Sequence, residues 1–196
     1  MRRALLILIT SSIFFNISAG FLGPIYAIFV QNIGGNAIDA GTAWAIYAIT
    51  VGVLYIIFGR LEDKLDKKKV FVLGRFFDFI GVVSYLFVRT PFQLFLVQGF
   101  LGIGAAMKDP AFNALYSRLL MRGKETSEWS YQLGLTSVMW GVAALLGGII
   151  ITYFSFRTLF ILMSMATGTS FLVSTLILKK SIWSEILKGF NKKIKL

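Results

Sequence analysis

Residues 41–58 (GTAWAIYAITVGVLYIIF) contain no charged side chain. At a rise of about 1.5 Å per residue, a helix of this length crosses most of the bilayer's hydrocarbon core, which is about 30 Å thick. The charged run GRLEDKLDKKK follows at 59–69, and a second apolar segment begins at Val70. Because the link between the two apolar segments is so short, we expect two neighbouring membrane-spanning helices joined on one side of a membrane.

Apolar segments and polar links alternate along the rest of the chain in the same way. The apolar segments lie at about 4–30, 41–58, 70–88, 92–116, 129–153 and 158–178. The expected fold is an all-α integral membrane protein, with six transmembrane helices in a domain of residues 1–178. Gly20, Gly23 and Pro24 interrupt the first segment and predict a kink there, because proline cannot donate a helical hydrogen bond.

Basic residues are concentrated in every second link. They occupy the start of the chain, residues 59–69, residues 118–124 and the tail, whereas only Arg89 and Arg157 lie in the other links. This bias predicts a multi-pass protein of the plasma membrane with both termini in the cytoplasm. The tail, residues 179–196, places apolar residues on one helical face and lysines away from it. It is therefore expected to be a basic amphipathic helix on the inner leaflet; the alternative is a solvated tail.

Composition excludes several classes of function. The 196 residues are 57% hydrophobic, carry a formal charge of +11 and include neither cysteine nor histidine. Disulfides, Cys/His zinc sites and a catalytic histidine are thereby excluded, and we expect no metal or cofactor. Since the basic residues lie in links between apolar segments, the expected partner is the lipid bilayer and not nucleic acid.

The residues of the first charged link follow a recognisable order. Glycine, leucine, aspartate and paired bases resemble the loop between helices 2 and 3 of the major facilitator superfamily, roughly G-x-L-x-D-[RK]-x-G-[RK]-[RK]. The matching residues are Gly59, Leu61, Asp63, Lys64, Lys67 and Lys68. Asp66 stands where the family usually has glycine. The resemblance implies a gating loop that holds the cytoplasmic side in one conformation; the alternative is an ordinary basic loop.

Later segments are similar to the same family with informative departures. The stretch GFLGIGAAMKDPAFNAL at 99–115 resembles its fourth helix, but Gln98 occupies the usual arginine position. In the fifth segment Gly147 and Gly148 remain of the pattern G-x-x-x-G-P-x-x-G-G, without its proline. Both departures argue against a proton-coupled drug antiporter. Since a full member has twelve helices in two halves, the resemblance implies one N-terminal-type half, with six helices in a 3+3 arrangement.

Polar and aromatic side chains inside the apolar segments are candidates for a substrate cavity. The candidates are Asn16, Tyr47, Gln98, Asp109, Asn113, Gln132 and Trp140. On the face that contains Asn16, small residues also fit close helix packing, so both interpretations stay open. Asp109 shares a helical face with Gln98 and is the expected cavity carboxylate, as either a cation contact or a titrating group.

Four charged residues fall inside the predicted spans. An unpaired charge near the bilayer centre costs about 3 kcal/mol, so these charges are expected to pair. Their depths and signs permit Asp78 with Lys108 and Arg75 with Asp109. The resemblance places the third helix on the outside of a half, which implies that Arg75 and Asp78 are mainly structural.

The leading functional hypothesis is a half-size transporter that moves a small solute by alternating access. Two copies in parallel, or one copy and a separate half, would enclose the path, while a coupled proton or sodium ion, the substrate and the direction stay open. The alternative is a non-transporting membrane scaffold or an inert fragment of a longer transporter. An enzyme is disfavoured, because Asp78 and Asp109 are the only acids in the predicted spans and no Gly-x-Gly-Asp motif accompanies them.

Overall fold

The structure, a computed structural model, describes residues 2–62 and 65–179, and these residues contain helices and no strand. The α-helices are α1 (Arg2–Leu22), α2 (Tyr26–Asn32), α3 (Ala37–Glu62), α4 (Lys67–Ser84), α5 (Pro91–Leu119), α6 (Glu125–Tyr153) and α7 (Phe156–Thr175). Three 3₁₀ turns lie at Gly23–Ile25, Tyr85–Phe87 and Leu176–Leu178. The predicted tail helix lies outside the described residues, apart from Lys179.

The predicted kink in the first segment is confirmed. Pro24 lies within the 3₁₀ turn that separates α1 from α2. Proline fixes its own φ angle and has no N–H, so a break in the α-helical hydrogen-bond ladder is expected at this position.

Polar side chains cap the N-termini of α4, α5 and α7, which each follow a short link. The Asp66 carboxylate accepts a hydrogen bond from the Lys68 backbone N–H at 3.1 Å at the start of α4. The Thr90 hydroxyl accepts one from Gln93 N–H at the start of α5, and Ser155 caps α7 in the same way. Such caps satisfy backbone donors that a helix leaves unpaired at its first turn, which allows the chain to reverse direction within a few residues.

Five helical segments among the described residues are long and apolar enough to cross a membrane. They are Arg3–Asn32, Ala37–Phe58, Lys67–Phe87, Glu125–Tyr153 and Phe156–Leu178. The remaining long helix, α5, matches the fourth predicted span in position, but its sequence includes Lys108, Asp109 and Arg118. The structure thus supports an all-helical protein with several membrane crossings, and the sixth crossing stays a prediction.

The long helices pack side by side in the order α3, α5, α4, α7, α1 and α6. One apolar core contains Phe29, Leu94 and Phe160, and a second contains Leu8 and Phe71. Along α4 and α5 the charged residues lie between the segments that contribute to these two cores. The charges therefore lie at mid-depth in the helix bundle.

The two helices at the ends of this packing order bury the least surface. Only 6% of the α3 span and 17% of the α6 span are buried, against 50% of the α4 span. Large apolar side chains such as Ile49 and Ile56 on α3 and Val138 and Leu145 on α6 are exposed. These two faces are consequently available to lipid or to another protein.

Candidate functional site

A cavity of about 390 Å³ lies among the long helices. Three predicted cavity residues line it: Tyr47 on α3, Gln98 on α5 and Trp140 on α6. Its wall is mostly apolar, with a few polar groups, as is common for small-molecule sites. The cavity thus brings together side chains that are far apart in the sequence.

Gln98 organises the polar part of the wall. Its amide Nε2 donates hydrogen bonds to the Tyr26 hydroxyl at 2.8 Å and the Tyr85 hydroxyl at 3.0 Å. All three residues line the cavity, and Gln98 is 3% exposed. The neutral amide of Gln98 therefore hydrogen-bonds two tyrosine hydroxyls. It does so at the position where the family that the sequence resembles usually has arginine.

Aromatic rings form much of the remaining wall. The rings of Trp44 and Tyr47 are stacked with centroids 5.4 Å apart, and the edge of Tyr26 approaches Trp44 at 6.4 Å. Phe15 and Trp140 line the cavity from α1 and α6. Aromatic faces carry negative charge density, so this wall favours flat apolar groups and cations.

The charged residues form one connected cluster next to the cavity. The Lys108 ammonium lies 3.4 Å from Asp78 and 3.5 Å from Asp109, while Arg75 lies 3.6 Å from Asp78. The Tyr55 hydroxyl donates to the second Asp109 oxygen at 2.9 Å. The expected pair of Asp78 and Lys108 is confirmed. The expected pair of Arg75 and Asp109 is wrong, because Arg75 pairs with Asp78 one turn away on the same helix.

Close packing of α4 on α5 brings this cluster together. A Cβ atom on Gly74 would lie 2.7 Å from the Lys108 Cβ, which is closer than side-chain carbons pack. Only glycine at this position lets the two helices approach so closely. Gly74 therefore supports the contact between Lys108 and Asp78, which lies one turn further along α4.

Aromatic rings contact the two cations of the cluster, Arg75 and Lys108. The Arg75 guanidinium lies 4.6 Å from the centre of the Phe15 ring and 5.3 Å from that of Phe71. The Lys108 ammonium lies 4.5 Å from the Phe15 ring centre. Arg75 also donates to the Ser12 hydroxyl at 3.3 Å. These contacts replace part of the water that both buried cations lose.

Four of the predicted cavity residues lie elsewhere. Asn16 donates to the Ser12 carbonyl oxygen at 2.8 Å, Asn113 is exposed, and Gln132 is buried on α6. Asp109, whose side chain is 44% exposed, contacts Tyr55 on the α3 side of α5. Their roles in substrate binding stay predictions.

Sequence reasoning missed several residues of the cavity wall. Asp78, which was expected to have a mainly structural role, lines the cavity. The other lining residues that were not predicted include Phe15, Tyr26, Trp44 and Tyr85. A signal was present for Trp44, which lies three residues before the predicted Tyr47 and so on the same face of α3. The other residues offered no comparable pattern, because their positions depend on how the helices rotate against each other.

The predicted gating loop is partly described. Gly59 and Leu61 lie in the last turns of α3, whereas Lys67 and Lys68 begin α4. Lys68 contacts Asp66 at 3.7 Å. Asp63 and Lys64 lie outside the described residues. Asp66, which replaces the family's usual glycine, serves here as the cap of α4.

The described residues contain no group of three or more acidic side chains that could hold a metal ion. The site is therefore made of a neutral hydrogen-bond network, aromatic rings and a buried ion-pair cluster. Such a site can bind and orient a small molecule.

Comparison with known proteins identifies relatives over most of the chain. The sequence model of the Major Facilitator Superfamily matches residues 7–190. An MFS-type transporter of Methanocaldococcus jannaschii is 26% identical over 68% of this chain and 35% of its own length. The MFS-type transporter YitZ of Bacillus subtilis is 24% identical over 73% of this chain and 87% of its own length.

A third relative is named for drug resistance. The multidrug resistance protein MdtG of Salmonella schwarzengrund is 23% identical over 81% of this chain and 40% of its own length. The chain thus spans well under half of the longer relatives, and nearly all of one short relative.

Proposed function

Since the chain belongs to the major facilitator superfamily, we propose that it transports a small solute across a membrane through the cavity described above. The cavity is the observation that carries the proposal. Its wall combines polar and aromatic groups from several apolar helices, whereas a helix bundle with only a structural role is expected to pack without a space of this size. The curated relatives named as transporters support the same conclusion.

The proposed unit of transport has two halves, of which this chain supplies one. The packed helices form an arc whose ends are α3 and α6, the two most exposed spans. A two-fold axis along the membrane normal would place α3 of one half against α6 of the other and cover both faces. The second half is another copy in parallel orientation or a separate half-transporter. YitZ, of which the match covers 87%, is a relative of similar length that is also named as a transporter.

A 3+3 internal arrangement is part of this proposal. The first span packs on the fifth (α1 with α6), and the fourth packs on the second (α5 with α3). Likewise the first packs on the sixth (α1 with α7), and the fourth on the third (α5 with α4). Exchange of the first three spans with the last three preserves these pairings, as an internal repeat requires.

The proposed cycle is alternating access, in which the two halves rock about the central solute. The charged loop at 59–69 would lie on the cytoplasmic side, together with both termini, and hold that side closed in one state. The positive charge of this loop and of the link at 118–124 supports the orientation.

Transport is tested with cells that express the chain and a panel of labelled sugars, amino acids and dyes. We expect net movement of at least one solute, and its loss in a triple variant with Gln98→Leu, Asp109→Asn and Gln132→Leu at unchanged membrane levels. Thr152→Val, an exposed polar change on α6, serves as the control. Unchanged transport in the triple variant would refute the role of these residues, and movement of no solute would favour the scaffold.

A further inference from the structure

We infer that the cavity accepts an organic cation and that Lys108 is a tethered competitor for the same position. This inference rests on the proposed function, since it names the class of solute that the cavity would carry. The expected cations include alkylammonium groups and aromatic cations with delocalised charge.

The wall has one charged side chain among the lining residues that the structure describes, and it is an acid. Asp78 is 2% exposed and lines the cavity. Its Oδ2 atom accepts no hydrogen bond from the described residues, although Arg75 lies 3.6 Å away. Around it the wall is aromatic, with Phe15, Tyr47 and Trp140 among its members. A carboxylate beside aromatic faces is a chemistry that recognises ammonium and other organic cations.

Lys108 shows that these wall groups bind an ammonium. Its Nζ lies 3.4 Å from Asp78 Oδ1 and 4.5 Å from the centre of the Phe15 ring. Both partners line the cavity. The protein's own primary ammonium thus occupies a cation site built from the cavity wall.

Asp109 offers Lys108 a second position. Its Oδ1 lies 3.5 Å from the same Nζ, and its other oxygen accepts a hydrogen bond from Tyr55. If an incoming cation pairs with Asp78, Lys108 can stay paired with Asp109. Asp78 is then shared by Arg75 and the solute, as it is shared by Arg75 and Lys108 in the structure, so no charge is left without a partner.

Arg75 is the fixed cation of the cluster. It is held by the Ser12 hydroxyl and by the rings of Phe15 and Phe71, and it is 4% exposed. Among the described residues, Arg75 pairs with one carboxylate, whereas Lys108 is shared by two. Exchange with a solute is therefore assigned to Lys108.

This arrangement gives two variants with opposite effects. Lys108→Met removes the competitor and should tighten cation binding about tenfold, within the usual range of coupling between linked binding events. Asp109→Asn removes the second position of Lys108 and should weaken cation binding by a similar factor, although Asp109 is not among the cavity-lining residues. If the charged cluster had only a structural role, both variants would lose cation binding.

The experiment is isothermal titration calorimetry of the full chain in non-ionic detergent. The probes are tetraphenylphosphonium and the neutral triphenylphosphine oxide, which offers similar rings without a charge, each corrected with a micelle blank. Lys124→Met, which removes a charge from the exposed link before α6, is the control and should leave both affinities unchanged. We expect the wild-type chain to bind the cation at least tenfold more tightly than the neutral probe.

Asp78→Asn should abolish the preference for the cation. If that variant fails to fold, Phe15→Leu provides the test, because it keeps an apolar side chain and removes the ring face that the cation contacts. Equal binding of both probes, no binding of the cation, or unchanged cation affinity in folded Lys108→Met would each overturn the inference.

The result separates this inference from the proposed function. Transport of a labelled solute without cation binding would leave transport standing and refute the cation assignment. Cation binding with the expected variant effects, but without movement of any solute, would support the site and count against transport.

Discussion

Replacing each of the adjacent glycines of α6 by alanine should have opposite effects on stability. A Cβ on Gly147 would collide with the carbonyl oxygen of Phe21 in α1 and lie 2.9 Å from the carbonyl carbon. A Cβ on Gly148 would meet no atom of the described residues within 4 Å. The two substitutions are chemically identical and differ only in what the added methyl group contacts.

The magnitude follows from packing and helix propensity. In a helix, Gly→Ala stabilises an open position by about 0.5–1 kcal/mol, so Gly148→Ala should be neutral or slightly stabilising. At position 147 the contacted atoms belong to the backbone, so α6 must move away from α1. Overpacking of this kind costs about 1–3 kcal/mol. Since the gain in helix propensity is the same at both positions, the two variants should differ in stability by about 1–3 kcal/mol.

The assay is thermal unfolding of each purified variant in the same detergent, followed by tryptophan fluorescence. Gly147→Ala should unfold at a clearly lower temperature than the wild-type chain and Gly148→Ala at the same or a higher one. Because Trp140 lies on α6 at the cavity wall, solute binding should weaken in Gly147→Ala alone. Equal unfolding temperatures for the two variants would refute the close contact between α1 and α6.

Three further perturbations have defined outcomes. Ser170→Ala removes the hydrogen bond that the Ser170 hydroxyl of α7 donates to the Ser11 carbonyl oxygen of α1, but keeps the bond from the Ser11 hydroxyl to the Ser170 backbone carbonyl; it should cost about 1 kcal/mol in the same unfolding assay. Gln98→Leu leaves the hydroxyls of buried Tyr85 and half-buried Tyr26 without their donor; we expect a loss of about 1–3 kcal/mol, together with reduced transport of the solute identified in the panel. Asp63→Lys in the gating loop should abolish transport while membrane insertion, measured by immunoblot of the membrane fraction, is unchanged; full transport would contradict the role of the loop.

The sequence predicted those features that depend on one helix at a time. The length and apolar character of the segments predicted five spans that the structure supports, and Pro24 predicted the kink. Counting residues inward from the basic links gave the shared depth of Asp78 and Lys108, which the structure confirms at 3.4 Å. Depth is a property of position along a helix, so it can be read from a single chain.

The cavity wall depended on information that a single helix does not contain. Asp109 and Lys108 are adjacent in α5, yet Lys108 is buried towards α4 while Asp109 faces Tyr55 of α3. Which of two neighbouring side chains points inward depends on the rotation of α5 against α4, and close contact at Gly74 helps to fix that rotation. Local spacing also brought Arg75 to Asp78, three residues away, in preference to Asp109 on another helix.

The central claim is that another copy of this chain serves as the second half and covers the exposed faces of α3 and α6, and cross-linking in native membranes tests it most directly. The chain has no cysteine, so Ile49→Cys on α3 and Val142→Cys on α6, exposed residues at similar depth, provide a unique reactive pair. Met165→Cys on α7, also exposed, replaces Val142→Cys in the control pair. We expect a covalent dimer with the first pair and little with the control. Absence of a dimer, or equal yields from both pairs, would contradict it.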